Sequence, residues 1–224
     1  MRNTSRREIL KQGLLLTGGA TLCQEGFSAP ATPCEDQGTS PKVFNIEPLS
    51  DVDKKYLKRA IEIAEMGTQP ESGSNYPYGA LIRFENGDTF EAWNTVAKHG
   101  DPTRHAEMTL LTKVFAQGMD WQRDRGRLKK ATIYASAEPC FMCAGAIFWS
   151  GIGRVVYGIS AAQLDEIYKE YFPDTEHSQI PASAMGSLAA VGIDINGPHL
   201  IEQSSEIMHH NIRSQLGKDN PFKK

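Results

Sequence analysis

Apolar positions recur at helical spacing after Asp51. Val52, Leu57, Ala60, Ile61 and Ala64 fall on one side, and Gly67 would stop the helix. Asp51 is the expected N-cap. A polar loop covers 72–76. Two apolar runs, 80–84 and 90–97, flank Asn86-Gly87, a strong hairpin signal. A helix is predicted over 105–116, ending at Gly118, then a short strand over 131–136. Residues 140–149 read as an apolar helix closed by Gly151, followed by a strand over 154–159 and a helix over 161–171. The last strand falls within 189–195, and an amphipathic helix runs from 199 to about 216. A hairpin followed by alternating helices and strands predicts an α/β fold, a three-layer α/β/α sandwich on a mixed five-stranded sheet. Trp93 and Trp121 read as core. Ala144, Ile147 and Phe148 are expected to pack on the sheet, part of that face serving as a subunit contact.

The first residues carry a different pattern. Arg6-Arg7 precede an uncharged, mostly apolar stretch over 13–23, and Ala29-Pro30-Ala31 offers small residues for cleavage. This is the layout of a twin-arginine signal peptide over 1–31. The apolar stretch is shorter than the roughly 20 residues a bilayer span needs. Residues 32–50 read as a linker and 51–224 as the folded domain with a helical tail, so no membrane span is expected in the mature chain. The expected destination is the periplasm, or export by the same route.

Composition is ordinary for a globular protein, with 40% hydrophobic and 23% charged residues among 224. The net charge is −3. Removing 1–31 takes four basic and two acidic residues from totals of 24 and 27, leaving 20 and 25, a net of −5. Nucleic-acid affinity comes largely from Lys and Arg on phosphates, so this balance argues against such a partner. The one basic cluster, Arg123, Arg125, Arg127, Lys129 and Lys130, reads as a loop flanking a strand, and Lys223 and Lys224 do not make a basic tail.

Of four cysteines, Cys23 would leave with the signal and Cys34 lies in the linker. Cys140 and Cys143 belong to Pro139-Cys140-Phe141-Met142-Cys143, and His105-Ala106-Glu107 lies upstream. One His and two Cys make a three-donor zinc set, and catalytic zinc sites keep a position open beyond their protein ligands. At a helix start, Cys140 and Cys143 would share one face, and the N-terminus favours thiolate. Glu107, two residues from the histidine, can handle protons. A thiol-disulfide pair at Cys140 and Cys143 is the remote reading from another class, and it needs no upstream His-x-Glu. A purely structural zinc site has no use for Glu107. His99, His177, His199, His209 and His210 read as surface or packing residues.

These residues resemble the cytidine/deoxycytidylate deaminase superfamily, in the branch that holds guanine deaminases, tRNA adenosine deaminases and fungal-type cytosine deaminases. The resemblance runs from about Asp51 to about Ile159. It rests on Pro77-Tyr78-Gly79-Ala80, Asn94, the run from Asp101 to Glu107, and the run from Glu138 to Ile147. It implies a cytidine deaminase-like fold, one Zn2+ per subunit held by His105, Cys140 and Cys143, and a homodimer or higher assembly. Glu107 would take a proton from the attacking water and deliver protons to the ring nitrogen and the leaving amine. Asn94 would hydrogen-bond the substrate, and the backbone around Ala106 and Pro139 would frame the base. Three residues depart from the common pattern: Tyr78, Phe141 and Arg104.

Trp149-Ser150-Gly151 resembles some guanine deaminases, which also use a C-terminal acidic residue. Asp165, Glu166 and Glu170 are candidates, Glu170 aligning best, although acids beside Lys169 also suit a solvated helix face. Trp149 is a candidate to stack on the base or to pack in the core. The stretch 173–198 could hold a lid or an exchanged segment. The expected activity is hydrolytic deamination of a free nucleobase, guanine first. The Cys-Ala-Gly-Ala-Ile run and Gly153-Arg154-Val155-Val156 also resemble tRNA deaminases, so deamination of a nucleoside or tRNA adenosine is the alternative.

Overall fold

The computed structural model describes residues 46–73, 76–173 and 183–216. The expected signal peptide, most of the linker, Cys23, Cys34, His177, Lys223, Lys224 and part of 173–198 lie outside the described residues.

Helix α1 spans Asp51–Gly67. Its N-cap is Ser50, not Asp51, because the Ser50 hydroxyl accepts the Asp53 N–H at 3.1 Å. Asp51 is instead the first helical residue, where its charge favours the helix dipole. Gly67 is needed for close packing, since a Cβ there would lie 2.9 Å from Trp93 Cβ. A 3-10 turn, Pro70–Ser72, follows.

Strands β1 (Gly79–Arg83) and β2 (Thr89–Trp93) form the expected hairpin, pairing Gly79 with Trp93 and Arg83 with Thr89. Gly87 turns it at φ 91°, and Asn86 Oδ1 accepts the Asp88 N–H. The second strand stops short of its expected end at 97. Asn94 Oδ1 accepts the Val96 N–H at 3.0 Å, and Thr95 N–H turns to Arg104 O. These bonds divert the chain into a short helix, α2 (Val96–His99).

Helix α3 (Ala106–Ala116), α4 (Arg125–Lys129), β3 (Thr132–Ala137), α5 (Phe141–Ser150), β4 (Arg154–Ile159) and α6 (Ala161–Tyr171) come next. A capping box between Ser160 and Gln163 starts α6. The expected strand at 189–195 is shorter and starts later: α7 takes Met185–Ala190, a turn follows, and β5 is only Asp194–Asn196. Gly192, at φ 85°, ends α7, with Ile193 N–H returning to Leu188 O. Helix α8 is Ile201–Leu216.

The sheet order is β2-β1-β3-β4-β5. β1 is antiparallel to β2 and β3, while β3, β4 and β5 run parallel, so the sheet is mixed as expected. One face packs against α1 and α8 through Leu57, Ala60, Ile63, Leu81, Tyr134 and Val156. The other packs against α3, α5 and α7 through Leu110, Ile133, Ala135, Ile147 and Val155. A third cluster joins α6 and α8 through Ile159, Leu164, Ile167 and Met208. All six β3 residues are buried, as a central strand covered on both faces requires.

Arg154 holds Asp53 through two bonds, at 2.7 and 3.2 Å, and Asp194 at 2.7 Å, while Tyr134 donates to Asp53 at 2.8 Å. This ties α1 to three strands. Three apolar placements differ from expectation. Trp121 is 52% exposed, Phe148 is 41% exposed and Trp149 is 77% exposed, so none is core; Trp149 and Phe148 instead pack on each other edge to face. Ala144 and Ile147 do pack inward. Among the described residues no helix is long and apolar enough to cross a membrane.

Candidate active site

His105 and Cys140 are the N-caps of α3 and α5, one position before the helices they were expected to begin. Cys140 follows β3 almost directly, whereas α2 and a loop separate His105 from β2. Extended backbone at both caps (ψ 162° and 172°) turns their side chains from the helices toward each other. Cys143, one turn into α5, completes the group and is fully buried.

The distances fit a metal. His105 Nδ1 lies 3.5 Å from Cys140 Sγ and 3.6 Å from Cys143 Sγ, and the sulfurs are 3.7 Å apart. Tetrahedral zinc with bonds of about 2.3 Å to sulfur and 2.0–2.1 Å to nitrogen implies edges of about 3.8 Å (S···S) and about 3.5–3.6 Å (S···N). The triangle therefore matches three corners of a zinc tetrahedron and leaves the fourth to a non-protein ligand. Among the described residues these three are the group placed to hold a metal ion.

The hydrogen bond from Cys143, aided by His105 and opposed by burial, brings the Cys140 thiol down to about 4. The bond with Cys140, together with burial, pushes Cys143 far up. The bond to Cys140 likewise raises His105. Glu107, in the first turn of α3, is 7% exposed, and burial raises its carboxyl above the ordinary range. Its carboxyl lies close enough to perturb the Cys143 thiol, so a group able to carry a proton lies near the donor set.

Asn94 is buried just beyond β2. Its N–H donates to Tyr78 O at 2.9 Å, and its Oδ1 is held by Val96, which leaves its Nδ2 donors as the end to offer a substrate. Ala106 buries its methyl in the core, so its main chain is what a site can use. Glu170 is exposed on α6, beside exposed Glu166 and an Asp165–Lys169 ion pair. Trp149 lies at the far end of α5 from Cys140, about 13 Å along the axis for nine residues. The structure thus gathers His105, Glu107, Cys140 and Cys143, and within one chain it does not bring Trp149 to them.

Two groups near the site were given no role in the sequence reading. Glu138 Oε2 accepts the Ala161 N–H at 2.9 Å, fastening the start of α6 to the cysteine turn. Tyr168 of α6 places its hydroxyl 3.5 Å from that of Tyr78. Tyr78 was visible as a departure from the family pattern, whereas nothing local marks Tyr168. Three of the five residues of the basic cluster form ion pairs: Arg127 with Asp88, Lys130 with Glu85 and Arg123 with Asp124.

A three-layer sheet carrying a His-Cys-Cys donor set with a buried glutamate defines a zinc-dependent hydrolase rather than a thiol-disulfide protein. The chain belongs to the family described as the cytidine and deoxycytidylate deaminase zinc-binding region, whose model matches residues 50–159. It is 33% identical over 169 residues to a probable cytosine deaminase of Schizosaccharomyces pombe, covering 72% of this chain and 92% of that protein. It is 34% identical over 133 residues to a guanine deaminase of Bacillus subtilis, covering 56% and 81%. A solved structure from studies of A-to-I editing by tRNA:A34 deaminases has the same fold, with TM-score 0.50, 22% identity, and coverage of 69% of this chain and 99% of that one. The chain is thus a zinc-dependent deaminase, a hydrolase of carbon–nitrogen bonds in cyclic amidines.

Proposed function

We propose that the substrate is a free nucleobase, guanine foremost, converted with water to xanthine and ammonia. The observation that carries this reading is the pairing of the Arg123–Lys130 stretch with acidic neighbours. It offsets the charge of three of the five basic residues in the one cluster that a tRNA could grip. Guanine leads because of the Trp149-Ser150-Gly151 ending of α5 and the B. subtilis relative. Cytosine is the second reading, favoured by the S. pombe relative.

Zinc held by His105, Cys140 and Cys143 would supply Lewis-acid activation of the attacking water. Glu107 would take one proton from that water and pass it to the ring nitrogen beside the reacting carbon, then take the second from the hydroxyl added to that carbon and give it to the amine as its C–N bond breaks. Asn94 Nδ2 would donate to the base and hold its plane. Burial of Glu107 keeps bulk water from competing for its proton.

The chain is further proposed to act as an exported homodimer. Support for export lies in the order Arg6-Arg7, apolar stretch and Ala29-Pro30-Ala31. Support for a dimer lies in Phe141, Phe148 and Trp149, large apolar side chains that α5 leaves exposed. Cell fractionation with and without Arg6→Lys/Arg7→Lys tests export: loss of the protein from the periplasm in the variant is expected, and retention overturns it.

The substrate test is ammonia release by the zinc-loaded chain on guanine, adenine, cytosine, cytidine, guanosine and a tRNA anticodon stem. Turnover of guanine is expected. Turnover of only tRNA or nucleosides would overturn the free-base reading.

A further inference from the structure

Tyr78 lies just before β1 and Tyr168 lies on α6, 90 positions away, yet their hydroxyl oxygens are 3.5 Å apart. Among the described residues neither hydroxyl has another hydrogen-bond partner. Each phenol carries one O–H donor. A pair can use only one of the two donors between its oxygens, so one O–H is left over. Even the bond that is made is long, against about 2.7–2.8 Å for a good O–H···O. Burial raises both phenols above their ordinary range, so neither escapes by ionising.

The pair also sits at the site. The Tyr78 carbonyl accepts the Asn94 N–H, and the charge of Glu107 reaches the Tyr78 phenol. Tyr78 is therefore joined to Asn94 through its main chain, and its phenol lies within electrostatic reach of Glu107. Packing alone would be served by phenylalanine at both positions, since both rings already lie against the Ile159–Leu164–Ile167 cluster.

We propose that the Tyr78–Tyr168 pair determines specificity, its spare O–H donating to an exocyclic oxygen of the base. This rests on the nucleobase reading above. Guanine and cytosine each carry such an oxygen beside their amine, whereas adenine has none. A base without it leaves the donor unpaired in a buried site, a loss of about ten- to hundredfold in relative affinity.

The test uses Tyr78→Phe, Tyr168→Phe and the double variant in the zinc-loaded full chain. kcat/KM is measured for guanine against 2-aminopurine and for cytosine against 4-aminopyrimidine, each pair differing by the oxygen. Calorimetric Kd values for xanthine and uracil give a readout without turnover. The wild type is expected to prefer the oxygen-bearing base, the double variant to lose that preference about ten- to hundredfold, chiefly through KM, and product binding to weaken in parallel. An unchanged preference, or equal losses on both members of a pair, overturns the inference and leaves the deaminase reading intact. No turnover of any base by the wild type overturns the nucleobase reading, and this inference falls with it.

Discussion

His105 Nδ1 and Cys140 Sγ lie 3.5 Å apart although 35 positions separate them in the chain. Each residue caps a helix, and the two helices pack side by side under one face of the sheet. The metal centre is therefore made by the parallel placement of two helix starts, and its strength depends on the packing of α3 against α5.

Metal removal exposes a reactive thiol. Cys140, brought down to about 4, is thiolate above that pH, whereas Cys143 holds its proton. After chelation, iodoacetamide at pH 6 should alkylate Cys140 selectively, as read by peptide mass spectrometry, and added zinc should block it. Equal labelling of both cysteines would contradict this asymmetry. Cys140→Ala should lose zinc by elemental analysis and melt at lower temperature.

Glu107→Gln keeps the shape of the side chain and removes the proton carrier. Ammonia release should fall by about 10²–10⁴-fold or more while zinc content stays unchanged. Substantial remaining turnover would assign the proton transfers to another group.

Helix α5 leaves Phe148 and Trp149 exposed together. If a second copy covers them, Trp149→Glu or Phe148→Glu places a charge in an apolar interface. Sedimentation velocity should then show a dimer for the wild type and a monomer for either variant. A wild-type monomer at micromolar concentration would rule out the dimer.

Asp53 is 7% exposed. Burial works against its charge, but bonds from Arg154, Tyr134 and Ser50 outweigh this and lower its pKa. Asp53→Asn should destabilise the fold by about 2–3 kcal/mol in urea titrations, less than the roughly 3–5 of a fully buried pair because Arg154 keeps Asp194 and some solvent. A depressed carboxylate contributes fully above its unfolded pKa near 4 and loses that contribution as pH falls through its folded value. The gap between wild type and variant should therefore be flat at neutral pH and shrink on acidification below about pH 4.

The donor set, the glutamate beside it and the alternation of helices and strands were legible in the sequence because each is a short-range property. Cys140 and Cys143 are three residues apart, His105 and Glu107 two, and hydrophobic periodicity reports one element at a time. Short-range competition also explains the misses. Asn94 bonded to Val96 cuts β2 short, and Gly192 closes a helix where a strand was expected. Only the tertiary structure decided that β1 lies between β2 and β3, that Arg154 reaches Asp53 across 101 positions, that Trp149 faces outward, and that Tyr168 meets Tyr78 across 90. Those contacts form when packed elements bring distant positions together, and the spacing of residues along the chain carries no record of them.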